Sequence, residues 1–492
     1  MPTSSKPAPV RAGWNFDNSY SRLPETFYTR VNPTPVAKPR LVLFNGPLAH
    51  SLGLDPAAFT GLNAAALLTG NEALPGAEPI AQAYAGHQYG NLTRLGDGRA
   101  LLLGEQCTPS GDRFDVQLKG AGLTPYSRRG DGRAALGPML REYLVSEAMH
   151  ALGIPTTRSL AVATTGEPVF REQTLPGAVL TRVAASHIRV GTFEYFAAIG
   201  DTDALRVLAD HTLRRHFPHR AESEHPALAL LEEGIERQAS LLAHWMRVGF
   251  VHGVMNTDNM ALCGETIDYG PCAFIDAYDP AAVFSSIDQH GRYAFGQQAP
   301  IAAWNLARLA EALLPVLHPD PDTAVARANE SLASCHERFQ HHWLTAMRGK
   351  LGLFTAEAGD ASLFEELLRA MHRTRADYIH TFRSLQPHAT PKPNSPLHAE
   401  FAAWHLRWTA RLTQQPQPSA EVLRLMNAHN PAVIPRNHEV EAALIAATGN
   451  DLAPLQRLLV ALANPYDEAD QPTTLLTPPP SGTPTYRTFC GT

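Results

Sequence analysis

Residues 249–280 read GFVHGVMNTDNMALCGETIDYGPCAFIDAYDP. Short apolar runs alternate here with loop formers, and the island interrupts a succession of long helical patterns. Asp258, Asn259 and Asp268 fall on its loops. Their side chains offer hard oxygen ligands, and such a set suits Mg²⁺, which binds through one or two carboxylates together with substrate phosphates. Taken singly, a loop carboxylate is more often a turn cap. The combination carries the reading.

Asp268-Tyr269-Gly270 resembles the Asp-Phe-Gly metal-binding element of protein kinases, and Asn259 upstream of it resembles their second metal ligand. Aligning Asn259 with that Asn brings His252-Gly253 into register with the opening of an HRDxxxxN or HGDxxxxN loop. Val254 then falls where the loop's Asp belongs. Valine neither accepts a proton nor polarises a hydroxyl, so γ-phosphoryl transfer with that residue as base is not available. The nearest carboxylate is Asp258, beside the candidate metal ligand.

Towards the N-terminus the pattern changes to strands. RLGDGRALLLGEQ predicts a turn at Gly96-Asp97-Gly98 and an apolar strand from Ala100 to Leu103. RFDVQLKGAG predicts a second strand, with Phe114, Val116 and Leu118 on one face and Asp115, Gln117 and Lys119 on the other. The Gly111-Asp112 turn signal joins the two as an antiparallel hairpin. A helix is expected at 137–152, with Pro138 in its first turn, Gly153 at its end, and a stripe of Leu140, Tyr143, Leu144, Ala148 and Ala151. Further strands are expected at 158–163 and 178–183.

Lys119 on a strand is ordinarily a solvated edge residue. Beside a helix holding Glu142 and Glu147 it also fits a kinase-like lobe, which pairs its strand lysine with a helix glutamate. Helical geometry does not choose between the two glutamates. Gly96, Gly98 and Arg99 form a tight turn beside a guanidinium, suited to phosphate oxygens or simply to a hairpin. SRRGDGR repeats the theme at Arg128–Arg133. Arg182 and Arg189 are anion ligands or surface charges on the same evidence.

Beyond residue 186 helical periodicity dominates, at 203–216, 226–248, 301–315, 323–348, 362–384 and 397–413. The expected class is therefore α+β with two lobes, and the kinase-like motifs above make the expected arrangement bilobal and protein-kinase-like. Residues 1–185 would form a β-rich N-terminal lobe, 186–463 a helical C-terminal lobe with the catalytic and metal loops, and 464–492 a Pro-rich tail.

Composition sets outer limits. The 492 residues are 44% hydrophobic and 18% charged, which excludes a chain disordered throughout. A formal charge of −6 does not advertise a nucleic-acid surface. No apolar run is long enough to span a bilayer, and the first residues, MPTSSKPAPVRAGW, have no apolar signal core. A cytoplasmic protein without nucleic-acid or membrane partners is expected. The five cysteines form no CxxC pair and there is no HExxH, which argues against a zinc site or a disulfide scaffold.

The blocks AYAGHQYGNLTRLGDGRALLLGE, DVQLKGAGLTPYSRRGDGRAALGPMLREYLVSEAMHALGIPTTRSLAV and FVHGVMNTDNMAL through IDYGPCAFIDAYDP resemble the selenoprotein O (SelO) family. So do FNGPLAHSLGLD and the Cys-Gly-Thr at the C-terminus. The resemblance spans nearly the whole chain. It implies a kinase-like fold that transfers AMP from ATP to Ser, Thr or Tyr hydroxyls of proteins, with the nucleotide flipped so that its α-phosphate faces the acceptor. The alternatives are a non-catalytic ATP-binding scaffold and transfer of another nucleotide such as UMP.

The resemblance also implies roles. Lys119 contacts phosphates and pairs with Glu142, which it favours over Glu147. Gly96, Gly98, Arg99, Asp131, Gly132, Arg182, Arg189 and Asp268 bind ATP. Asp258 is the proton acceptor, and Asn259 and Asp268 hold Mg²⁺, with Mn²⁺ as the alternative. ATP and protein substrates are the expected partners of a monomer. Cys272, just after the Asp-Tyr-Gly element, and Cys490 in the tail are put forward as a redox pair, against the alternative of two unrelated thiols.

Overall fold

The computed structural model describes residues 12–60, 62–385, 398–469, 471–479 and 486–488. In chain order its strands are β1 (Tyr28–Arg30), β2 (Arg40–Phe44), β3 (Ile80–Gln82), β4 (Ala85–Gln88), β5 (Asn91–Arg94), β6 (Ala100–Cys107), β7 (Arg113–Lys119), β8 (Ala134–Ala135), β9 (Arg158–Phe170), β10 (Thr174–Ala184), β11 (Phe250–Val251) and β12 (Ala273–Phe274). The helices are α1 (Gly46–Ser51), α2 (Leu62–Thr69), α3 (Leu136–Ala151), α4 (Val190–Ala198), α5 (Thr202–His216), α6 (Pro226–Arg247), α7 (Gln298–Leu317), α8 (Pro321–Lys350), α9 (Asp360–Thr374), α10 (Tyr378–Ser384), α11 (His398–Leu412), α12 (Ser419–His429), α13 (Asn437–Thr448), α14 (Ala453–Leu462) and α15 (Thr473–Leu476). Strands β1–β10 precede residue 185 with α1–α3 among them, and α4–α15 follow with the short β11–β12 pair between α6 and α7, an α+β arrangement.

One antiparallel sheet runs β1-β3-β6-β7-β10-β9-β2, with β8 paired to β10 off this path. The predicted hairpin is its centre, β6 and β7. Lys119 lies opposite Ala100 on one side and Leu180 on the other. Side chains alternate across a strand, so the register puts Asp115, Gln117, Lys119 and Arg182 on one face. Leu101, Leu103, Val116, Leu118 and Val179 fill the other, in a core of their own.

The polar face is not solvated. Asp115, Gln117, Lys119 and Arg182 are all buried, because α3 and the helical part of the chain cover it. Helix α3 is buried almost all round, from Leu136 and Met139 to Ala148 and Met149. A helix with two packed sides shows no single stripe, which is why its periodicity left Glu142 and Glu147 undecided.

The helical half matches its periodicity closely in α5, α6, α7, α8 and α11. The exception is 362–384, expected as one helix. It breaks into α9 and α10 because Arg375 turns left-handed at φ +51° and Asp377 caps α10, accepting the His380 N–H at 2.7 Å. Helices α4 and α12–α14 lie outside the patterns read from the sequence. Within the island, β11 and β12 pair Phe250 with Phe274 and Val251 with Ala273. This short ladder holds the loops that bear Asp258 and Asp268. The described part of the tail lies on the body: the Thr488 N–H donates to Phe284 O at 2.8 Å. Among the described residues no helix is long and apolar enough to cross a membrane.

Candidate functional site

Between the polar face of the sheet and the island lies a cleft of ≈ 660 Å³. Gly96, Gly98, Arg99, Lys119, Asp131, Gly132, Arg182, Arg189, Asp258, Asn259 and Asp268 all line it. Residues far apart in sequence therefore share one wall set. Glu142 stands just behind the lining.

At the sheet side, Lys119 Nζ donates to Glu142 Oε2 at 2.6 Å and also to Asp268 Oδ1. Arg182 donates from Nη1 to the second Glu142 oxygen at 3.1 Å and from Nη2 to Gln117 Oε1 at 2.5 Å. Glu142 thus holds both cations in place. Glu147, the other candidate, is committed elsewhere: it accepts from Arg158 at 2.6 and 2.9 Å and from Asn45 at 2.7 Å.

Asp268 sits at φ +66°, a left-handed conformation uncommon outside glycine. The turn swings its carboxylate towards the sheet. Burial alone would raise its pKa, but Lys119, Arg182 and Arg99 outweigh this and hold it well below the usual carboxylate range. Asn259 donates its amide to Val254 O at 3.1 Å, so the position that lacks a base supplies a backbone acceptor instead. That bond uses the amide nitrogen and leaves the Asn259 oxygen for another partner.

Asp258 is 8% exposed, and its Oδ1 is buried without a hydrogen-bond partner. Burial pushes its pKa up to about 7, with the Arg189 guanidinium pulling the other way. Arg189 donates to the Asp258 backbone carbonyl at 3.1 Å, lies 4.2 Å over the Tyr84 ring, and leaves Nη2 buried and unpartnered. Asp258 and Arg189 thus both line the cleft, and each carries a buried polar atom without a hydrogen-bond partner.

The 96–99 turn requires its first glycine. Gly96 has φ +85°, and a Cβ there would lie 2.4 Å from the Tyr126 ring. Asp131 is half-exposed at the mouth, clamped by Arg171 at 2.8 and 3.1 Å and accepting the Arg133 N–H at 2.9 Å. Its carboxylate braces the 131–133 loop.

Tyr84, Tyr126 and Arg171 also line the cleft, and the sequence reading missed them. Tyr84 lay in plain view within AYAGHQYG, whereas Arg171 reaches in from the β9–β10 turn with no local signal. Lys119 and seven arginines line the cleft against Asp97, Asp131, Asp258 and Asp268. The positive excess sits inside a chain of net charge −6, and it suits a polyanion. Cys272 is a fully buried thiol without a disulfide among the described residues, and burial pushes its pKa up to about 11; Cys490 lies outside the described residues.

A family model described as protein adenylyltransferase SelO matches residues 11–463. The chain is 57% identical over 481 residues to the protein nucleotidyltransferase YdiU of Syntrophotalea carbinolica, covering 98% of each. It is 58% identical over 493 residues to the YdiU of Halalkalibacterium halodurans, covering 100% of each. The YdiU of Bacillus cytotoxicus is 57% identical over 481 residues, with 98% of each chain covered.

Proposed function

The chain belongs to the SelO family of protein adenylyltransferases, and on that premise we propose how its cleft transfers AMP from ATP to Ser, Thr or Tyr hydroxyls of proteins. The chain is a nucleotidyltransferase. The observation that carries the site reading is Asp258, a buried carboxylate with an unpartnered oxygen across a cleft from the Lys119–Glu142–Arg182 cluster.

Lys119, Arg99, Arg182 and Arg189 bind the phosphate oxygens, and the turn at Gly96 and Gly98 lets the backbone approach them. Asp131 and Gly132 flank the nucleotide at the mouth. The acceptor hydroxyl gives its proton to Asp258, and its oxygen attacks the α-phosphorus. The bond between the α-phosphorus and the bridging oxygen to the β-phosphate breaks, and pyrophosphate leaves with its charge held by the same cations. A base with a pKa near neutrality suits that proton transfer.

Asn259 and Asp268 fit Mg²⁺, or Mn²⁺. The Asn259 oxygen is left over by the bond its amide makes to Val254, and Lys119 engages only one Asp268 oxygen. When bound, the ion supplies charge neutralisation on the phosphoryl oxygens. The same reading takes residues 1–185 and 186–463 as the two lobes of a kinase-like fold, with 464–492 as the tail. It has the chain working as a cytoplasmic monomer on protein acceptors.

The test is paired labelling with Mg²⁺ and ATP carrying label on either the α- or the γ-phosphate. Label from the α-phosphate alone, lost in Asp268→Ala and Asp258→Asn, is expected. Label from the γ-phosphate would make the protein a kinase and overturn the reading.

A further inference from the structure

Asp258 owes its position to its neighbours in the chain and in space, and one group of them has no part in the chemistry above. Thr257, fully buried, donates from Oγ1 to Glu194 Oε2 at 2.5 Å. The other oxygen of Glu194 takes His87 Nδ1 at 2.5 Å. The circuit closes because the His87 backbone N–H donates back to Thr257 Oγ1 at 2.7 Å. One carboxylate on α4 thus ties the β4 strand to the turn that carries Asp258 and Asn259.

The packing leaves this circuit no slack. A Cβ on Gly86, next to His87, would lie 2.2 Å from Asp258 Oδ1. A Cβ on Gly191, in the first turn of α4, would lie 1.9 Å from Ala85 O. Glycine at 86 and 191 therefore lets β4 pack directly against the Asp258 side chain and α4 directly against β4. The β4–β5 hairpin also leads into the nucleotide turn, and the Asp97 N–H returns to Gln82 O at 2.9 Å. A shift of the hairpin would move the base and the phosphate-binding turn relative to each other.

We propose that His87, Glu194 and Thr257 form a positioning unit that sets the Asp258 carboxylate against the reacting phosphate. The unit acts through hydrogen-bond geometry, with His87 contributing Nδ1–H and its backbone N–H. It rests on Asp258 being the proton acceptor, which the α-label experiment with Asp258→Asn tests separately.

The experiment is steady-state AMP transfer with α-labelled ATP on single variants, each also melted to check folding. Thr257→Val keeps the shape and removes the hydroxyl. It is expected to lower kcat on the order of 10- to 100-fold while KM for ATP stays within about twofold, since small misplacement of a reacting group costs rate and not ground-state binding. Thr257→Ser restores the hydroxyl and is expected to recover kcat. His87→Asn places an amide N–H near the Nδ1 position and keeps most of the activity, whereas His87→Gln and His87→Ala lose it.

Unchanged kcat in Thr257→Val would overturn the proposal. So would a matching rise in KM for ATP, or His87→Gln outperforming His87→Asn, which would assign the work to Nε2. The serine and asparagine variants keep the hydrogen bonds and so remain readable where the harsher variants melt early.

Discussion

Asp97, inside the 96–99 turn, is 2% exposed and accepts the Gln82 N–H at 3.0 Å. Burial pushes its pKa up to about 6, and the Arg189 and Arg182 charges only partly oppose this. A folded-state pKa above the unfolded value means stability is fully present in acid and declines as pH rises from about 4 through about 6. Asp97→Asn removes that cost while keeping an oxygen for Gln82. The variant should unfold at higher denaturant than wild type at pH 8, by up to about 3 kcal/mol for a shift of roughly two units. At pH 4 the two urea curves should coincide; a difference independent of pH would show that burial of the charge is not the cause. Nothing in Gly96-Asp97-Gly98 signals this strain, because as sequence it is an ordinary turn. Lys119 was legible as a residue of the polar strand face. That the face is buried was not, since alternation reports two different environments without saying that both are dry.

Arg436 joins elements that are distant in the chain. It is 1% exposed and donates to Asp276 Oδ1 at 2.7 Å and to Asp377 Oδ2 at 2.6 Å. Asp276 follows β12, and Asp377 caps α10, so one guanidinium ties the segment after the Asp-Tyr-Gly element to the α9–α10 break. Arg436→Met should destabilise by about 3 kcal/mol, because it strands two carboxylates in a largely buried place. Arg206→Met, which removes an exposed pair with Asp203, should cost less than about 0.5 kcal/mol. Equal shifts of the two urea midpoints would contradict this account. The same contact explains what the sequence concealed. Helix α6 was readable almost to its ends from one amphipathic pattern. The 362–384 pattern holds no Gly or Pro at Arg375-Ala376-Asp377 to mark a break, and the pairing of Asp377 with the distant Arg436 leaves no local signal. The order of the strands in the sheet was equally beyond periodicity, which registers faces and not neighbours.

The molecule as a whole is acidic, yet its cleft is lined by eight cationic side chains against four aspartates. Two of the cations, Arg128 and Arg129, are exposed at the mouth, while Lys119, Arg182 and Arg189 are buried. Salt screens the first group strongly and the second weakly, because the Debye length falls from about 10 Å at 0.1 M to 3 Å at 1 M while buried pairs keep a low local dielectric. ATP affinity should therefore weaken with NaCl between 0.05 and 0.5 M, by roughly tenfold, and then level off. The plateau reports the buried set. In Arg128→Ala/Arg129→Ala the low-salt affinity should drop and the salt slope flatten, with the plateau unchanged. Titration calorimetry at four salt concentrations separates these cases. A double variant with wild-type slope would place the long-range field elsewhere on the surface, and a wild-type affinity that keeps falling without a plateau would mean the buried cations contribute little to binding.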